Sequence, residues 1–537
     1  MYILRSIALS LLAAPFVQAG PKRPSPPPAA AASTASIQEA TFQQLLDHKN
    51  PSLGTFSQRY WYNAEWWAGP GSPVVLFTPG EESADGYQGY LNNQTITGLY
   101  GQEIEGAVVL IERRVSLCHD GRLPRNRYWG ESSPYAELTT ENLQYLTLEN
   151  SIADLVYFAK NVKLPFDKNG SSNAQNACIF MKPWVLSGGS YSGALTAWTE
   201  STSPGTFWAY HASSAPVEAI YDYWQYFKPV QEGMAKNCSR DVSRVVDYVD
   251  RVATAGTKEQ QQKLKELFGL GDLEHFDDFA AALENGPWLW QSNAFYTGYS
   301  EYYQFCDYVE GVQPGASVVP GPEGVGLKQA LRGYAKWFKT VYFPESCANY
   351  GYWNSNTTTA CYDTYDASSP IFTDLAVNNT IDRQWQWLLC NEPFFYWQDG
   401  APSNVPSIVS RTVNGAYWER QCPLFFPTVN GYTFGSAKGK TAADVNKWTK
   451  GWDLTDTTRL TWTNGQFDPW RESTVSSEFR PGGPLSSRPS APVNIIPGGF
   501  HCSDLLLKNA DVNAGVKKVV ETEVAQIKAW VAEYYKH

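Results

Sequence analysis

The sequence predicts an α/β fold: a largely parallel sheet interrupted by a helical cap. Two observations lead there. Short β-rich runs alternate with helix-period text from about residue 40 to 214, as in "SPVVLFTPGEE", "GAVVLIERR", "ENSIADLVYFAKNVKL" and "KPWVLSGGS", and strands separated by helices imply parallel pairing with crossovers. The text then changes to long amphipathic stretches, "SRDVSRVVDYVDRVA", "KEQQQKLKELFGL" and "GLKQALRGYAKWFKTVYF", which have the helical period and few β-branched runs.

Five segments follow from this reading. Residues 1–19, "MYILRSIALSLLAAPFVQA", combine Arg5, an apolar stretch and a small-residue cleavage site, the composition of a secretory signal peptide. Residues 20–39 are rich in Pro and Ala and read as a linker or pro-segment. Residues 40–214 are the first part of the sheet domain, 215–380 the helical cap, and 381–537 the second part. That last segment carries "TRLTWTNGQFDPW", "SAPVNIIPGGFHCSDLLL" and a closing amphipathic helix.

Composition narrows the function. A chain of 537 residues, 43% hydrophobic and 15% aromatic, can build a large core. Its net charge of -11 argues against nucleic acid as a partner. No later run of about 18 uncharged apolar residues predicts a membrane span in the mature form. Asn93, Asn169, Asn237, Asn356 and Asn378 open N-x-[ST] sequons. Nine cysteines without a C-x-x-C pair favour disulfides in an oxidising compartment, outside the cell or in a vacuolar, lysosome-type lumen. No metal or cofactor is expected.

The chemistry-bearing stretch is "VLSGGSYSGALTAW". A serine hydroxyl needs an adjacent base to act as a nucleophile, and the base needs an orienting acid. In sheet hydrolases the serine sits on a strand-to-helix elbow with small residues two before and two after it. Ser190 and Ser192 both satisfy that size rule, while Ser187, preceded by Val185, does not. The apolar strand ends at Leu186 and the turn at Gly188 and Gly189, which favours Ser190; Ser192 then stands where a glycine is usual.

The base is sought among six histidines. In sheet hydrolases of this type the chain order is serine, acid, histidine, which sets aside His48 and His119. His211 lies too close to the serine, His275 sits in the helical insertion, and His537 is the terminus. His501 alone follows a strand-like run and a Gly-rich turn, "VNIIPGGF". Asp468, at the end of the preceding strand, is the acid, ahead of Asp453 and Asp456. The backbone N–H of Tyr191 and one from the Thr78–Glu81 loop, with Gly80 allowing close approach, would hold an oxyanion.

With these residues placed, the chain resembles the S28 serine peptidases, the family of lysosomal Pro-Xaa carboxypeptidase, dipeptidyl peptidase II and the fungal acid prolyl endopeptidases. The resemblance rests on "GGSYSG", "NGQFDPW", "GGFHCSDL" and "RYWGESSPY", and on "TPGEESADGY" and "CNEPFFYWQDGAP" for the fungal endopeptidases. It implies an α/β-hydrolase core, Ser190 as nucleophile, His501 as base, Asp468 as acid, and cleavage of proline-containing peptides on the carboxyl side of proline in acid. Phe394, Tyr396 and Trp397 are candidates for an apolar proline slot, and Glu81 and Glu392 for a substrate amino group. Each of these could equally be core packing or a solvated carboxylate.

One departure stands out. Glu112 is separated from Arg127 by "RRVSLCHDGRLPRN", which reads as an unusual loop or retained intron sequence. Without Cys118, eight cysteines remain that can pair fully. The alternatives are an exopeptidase of the same family, a secreted lipase or esterase, and a non-catalytic ectodomain on the same fold.

Overall fold

In the computed structural model, which describes residues 36–536 apart from 82–83, 85, 113–127, 129–132, 169, 171–182 and 314–315, ten strands form two sheets. The strands are β1 Ile37–Leu45, β2 Thr55–Asn63, β3 Val74–Phe77, β4 Ala107–Ile111, β5 Trp184–Gly189, β6 Ala209–Ser213, β7 Ile220–Asp222, β8 Phe395–Trp397, β9 Leu460–Gly465 and β10 Val493–Ile496. Eight of them form one sheet in the order β1-β2-β4-β3-β5-β6-β9-β10. β2 runs antiparallel to its two neighbours, and every other pairing in this sheet is parallel. This is the α/β-hydrolase arrangement.

The strands β3, β4, β5, β6 and β9 are buried at every residue, as expected when helices cover both faces of a parallel sheet. Alternate residues feed two cores. Val74 and Leu76 join the cluster that extends into the cap, while Val75 and Phe77 join the one beneath the C-terminal helix. The helices that matter here are α1 Ile96–Glu103, α2 Leu148–Asn161, α3 Tyr191–Thr202, α4 Lys236–Ala255, α5 Glu301–Glu310, α6 Leu327–Trp337 and α7 Ala514–Tyr534.

Two expected boundaries move. The linker assigned to 20–39 gives way at Ile37, where β1 begins a nine-residue antiparallel register with β2. The return to the core expected at 381 comes only at Leu460: among the described residues no strand between Ser213 and Leu460 joins the large sheet. The run "FYW" that resembles a core strand pairs instead with β7 in a separate two-stranded sheet. Local β-propensity says that a strand forms, not which sheet receives it.

Among the described residues three disulfides, Cys238–Cys306, Cys347–Cys361 and Cys390–Cys422, lie in this insertion. Cys502 is buried and unpaired, so full pairing of eight cysteines does not hold; its backbone N–H donates to Ser214 Oγ beneath the sheet, far from the disulfide-bearing cap in sequence. Cys118, the inserted segment 113–126, the signal peptide and Asn169 lie outside the described residues. Asn93, Asn356 and Asn378 are exposed, and Asn237 is half-buried against Glu310.

Candidate active site

The site begins where β5 runs out. Ser190 has φ 60° and ψ -131°, and α3 starts at the next residue. A non-glycine residue held there costs about 1–3 kcal/mol, so the surroundings must enforce it. Ser190 N–H donates to Ser213 O on β6 at 2.8 Å. A Cβ at Gly188 would stand 2.2 Å from Ser192 O, so only glycine fits below the turn. Ser192 Oγ donates to Gly189 O at 2.8 Å and accepts from Gly189 N–H at 3.0 Å. Its hydroxyl closes the elbow.

The imidazole arrives on the loop after β10. His501 Nε2 lies 2.8 Å from Ser190 Oγ, and Nδ1 lies 2.9 Å from Asp468 Oδ1. All three residues are buried. Two glycines explain how the two loops meet: a Cβ at Gly465 would fall 2.3 Å from Phe500 O, and one at Gly499 would fall 2.9 Å from Gly465 Cα. Phe467 N–H then donates to Gly499 O at 2.8 Å, and Gly498 N–H to Gln466 Oε1 at 2.8 Å. Asn464 and Gly465, a pair common in turns, are here the end of β9.

No other described histidine touches Ser190. His48 pairs with Asp154, His275 stacks on Tyr365, and His211 is enclosed under the sheet; His119 and His537 lie outside the described residues.

Charge around the base is asymmetric. Burial pulls the His501 pKa down, but Cys502 and the Asp468 carboxylate outweigh it and hold it well above the ordinary histidine value. Burial also pushes the neighbouring Cys502 thiol up.

The sequence candidates separate in space. Phe394 stands 5.7 Å from the Tyr191 ring, with Trp385 at 5.3 Å on the same ring. Tyr396 packs edge-on at 5.5 Å against Trp470, whose ring faces His501 at 6.5 Å. Trp397, one residue on, points the other way and stacks on Trp418, so it leaves the group. Glu392 leaves it too: its carboxylate pairs with Lys440 Nζ at 2.6 Å and lines a separate cavity of about 420 Å³ with Lys49 and Glu149. Consecutive strand residues face opposite sides, which a linear motif does not display.

Tyr191 opens α3, so its N–H belongs to the positive end of that helix. Gly80 has φ 82° and packs its backbone against Ser192, but its own N–H is held by Thr78 Oγ1 at 3.3 Å. Glu81 is buried in the same loop. Trp470 is the residue that motif reasoning passed over. Its N–H donates to Asp468 Oδ1 at 3.0 Å and its indole to Gln291 Oε1 at 3.0 Å, and Tyr223 and Tyr226 flank it. The signal was in view as the last letter of "NGQFDPW".

Comparison with known proteins identifies the family. The family described as serine carboxypeptidase S28 matches residues 44–520. The chain belongs to the S28 serine peptidase family. Its relatives include "Serine protease vicPb" of Bipolaris victoriae, 42% identical over 92% of this chain and 89% of that one. Another is "Probable extracellular serine carboxypeptidase" of Arthroderma benhamiae, 29% identical over 88% of this chain and 63% of that one. A solved structure titled "Bacterial Heroin Esterase" aligns with 94% of this chain and 87% of its own, at 11% identity and a TM-score of 0.32. Agreement that loose adds nothing to the topology. In this S28 peptidase one trio of buried groups, His211, Asp504 and Glu523, has the donor types of a metal site. Its Nε2–O separations of 3.2 and 3.4 Å are those of ion pairs that an imidazolium makes unaided.

Proposed function

We propose that this chain is an exported serine endopeptidase that cleaves peptides on the carboxyl side of proline through an acyl-enzyme. The observation that carries the reading is the unbroken line Ser190 Oγ, His501, Asp468 at 2.8 and 2.9 Å, with the serine on a strand-to-helix elbow. Ser190 Oγ attacks the scissile carbonyl while His501 Nε2 takes its proton. Asp468 holds Nδ1 and stabilises the imidazolium. The oxyanion faces Tyr191 N–H and, once Thr78 is released, Gly80 N–H. His501 returns the proton to the leaving amine, and water then cleaves the ester by the reverse path.

Proline at P1 is a compact apolar ring. The rings of Tyr191, next to Ser190 in the chain, and Trp470, 6.5 Å from His501, with Phe394 and Tyr396 packed against them, offer the apolar walls it needs. Endopeptidase action is favoured by the loss of Glu392 to Lys440, which removes one anchor that a dipeptidyl peptidase would use. A carboxypeptidase is the second reading, favoured by the family's description and the name of the Arthroderma relative.

Export is supported by the leader-like first 19 residues, the three disulfides and the exposed sequons. Among the described residues no helix is long and apolar enough to cross a membrane. Work in acid is supported by buried carboxyls that prefer to be protonated: burial raises Glu218 to about 7 and Asp278 to about 6. His501 must be neutral to accept the proton, and its raised pKa works against that in acid, so the carboxyls support a fold that is stable in acid more than a rate that is highest there. Quenched peptides with one internal proline and both ends blocked test the whole reading. Cleavage after proline is expected, and its pH profile tests the acid reading: a rate that falls away below pH 6 removes that part of it. Cleavage only of peptides with a free carboxyl end establishes the carboxypeptidase instead, and ester hydrolysis without peptide cleavage overturns both.

A further inference from the structure

Beneath Ser190, His501 and Asp468 runs a second row of buried polar side chains that takes no part in the proton path. His211, in the middle of β6, places Nδ1 2.9 Å from Ser187 Oγ on β5. Its Nε2 lies 3.2 Å from Asp504 Oδ2 and 3.4 Å from Glu523 Oε1 on α7. The carboxylates are anchored in turn: Ser213 Oγ donates to Asp504 Oδ1 at 2.6 Å, and Thr463 Oγ1 on β9 donates to Glu523 Oε1. The ring of Tyr100 on α1 closes the side at 5.4 Å. All seven residues are fully or almost fully buried.

A dry cluster of one imidazole and two carboxylates is expensive to bury, and separating any member leaves an uncompensated buried charge. It therefore fixes the mutual position of whatever carries it. Here the carriers are the elements that bear the active groups. Ser187 is three residues before Ser190, on the strand that runs into the elbow, Asp504 is three after His501 on the same loop, and Thr463 is five before Asp468. The backbone repeats the connection. Ser213 O accepts the Ser190 N–H at 2.8 Å, and Ser214 Oγ accepts the Cys502 N–H at 2.9 Å.

We propose that His211, as an imidazolium bridging Asp504 and Glu523, is a positioning residue that registers the His501 loop against the Ser190 elbow. This rests on the reading of Ser190, His501 and Asp468 given above. The cluster is not a second hydrolytic site, because Ser187 lies inside a strand with no elbow and no access. The bridging form fits the electrostatics: burial pulls the His211 pKa down, but its bonds to Asp504 and Glu523 outweigh that and lift it to about 9.

The test uses the full chain and the variants His211→Gln, Asp504→Asn, Glu523→Gln and Ser190→Ala. Rates on a blocked Gly-Pro anilide are expressed per active site titrated with a fluorophosphonate. His211→Gln is expected to lower kcat by ~10–100-fold with KM within ~3-fold, the effect of misplacing a reacting group, and to slow fluorophosphonate labelling by the same factor. Asp504→Asn, on the His501 loop itself, is expected to lower kcat more than Glu523→Gln. If His211→Gln lowers only the melting temperature and leaves kcat per site within ~2-fold, the proposal is overturned. Should that variant fail to fold, Asp504→Asn decides on the same kcat criterion. One equivalent of a divalent metal in elemental analysis of the purified protein overturns the imidazolium bridge. If Ser190→Ala keeps its activity, the reading of the site itself fails, a result independent of any change at His211.

Discussion

Two Ser-His-carboxylate rows lie one layer apart in this molecule, and their difference shows what turns such a row into a candidate catalyst. At the strand tips, Ser190 meets His501 Nε2, and a single carboxylate, Asp468, holds Nδ1. One layer down, Ser187 meets His211 Nδ1, and two carboxylates crowd Nε2. The residue types are alike and the distances similar. The upper serine stands on a strained elbow at the positive end of α3, while the lower one is an ordinary strand residue with strands on both sides. The upper imidazole turns Nε2 to the Ser190 hydroxyl, whereas the lower one turns Nε2 to two carboxylates. Position on the sheet and the number of carboxylates, more than the presence of the three groups, separate a base from a strut.

The largest expected effect divides the two serines. Ser190→Ala lowers kcat/KM by roughly 10⁴-fold or more, while Ser187→Ala leaves it within about 3-fold and only loosens the fold by about 1–3 kcal/mol, the loss of one buried hydrogen bond. Steady-state kinetics beside denaturant melts check both. Inactivation by Ser187→Ala with an intact melt would break the comparison. Next come the carboxylates: Asp468→Asn is expected to lower kcat by roughly 10⁴-fold through the wrong imidazole tautomer, far beyond the effect of Asp504→Asn.

The pH dependence of stability follows. The folded-state values of Glu218, Asp278 and His211, about 7, 6 and 9, all lie above their ordinary values of 4.5, 3.8 and 6.5. A raised folded value gives stability that is complete below the unfolded value and lost as the pH rises through the folded one. The carboxyl share is therefore lost between about pH 4 and 7, and the His211 share between about pH 6.5 and 9. Calorimetry should show the melting temperature several degrees higher near pH 4.5 than near pH 8, and a melt that rises with pH over this range contradicts it.

The smallest effect sharpens the elbow. Ser192→Ala removes the two bonds to Gly189 and should cost about 1–2 kcal/mol of stability while keeping most of the activity. Loss of activity as deep as that of Ser190→Ala would make Ser192 the nucleophile.

Much of the upper row was legible in the chain, because each group sits at a local transition. Ser190 follows an apolar run and two glycines, and His501 follows "VNIIPGG". The aromatic surroundings were half legible: Phe394 and Tyr396 reach Tyr191 and Trp470, but Trp397 and Glu392 are turned or paired elsewhere. The lower row was not legible. His211 was set aside for lying too close to the serine, and nothing near it in sequence marks Asp504 or Glu523 as its neighbours.

By itself, then, the sequence determined the local events: which runs become strands, where the chain must turn on a glycine, and which serine ends a strand. These are set by neighbours a few residues away, through sterics and periodicity. Tertiary structure decided which sheet received "FYW", that Cys502 has no partner, and that His211 meets two carboxylates from far along the chain. Such outcomes depend on which distant segments share one buried volume, and burial is a property of the assembled fold.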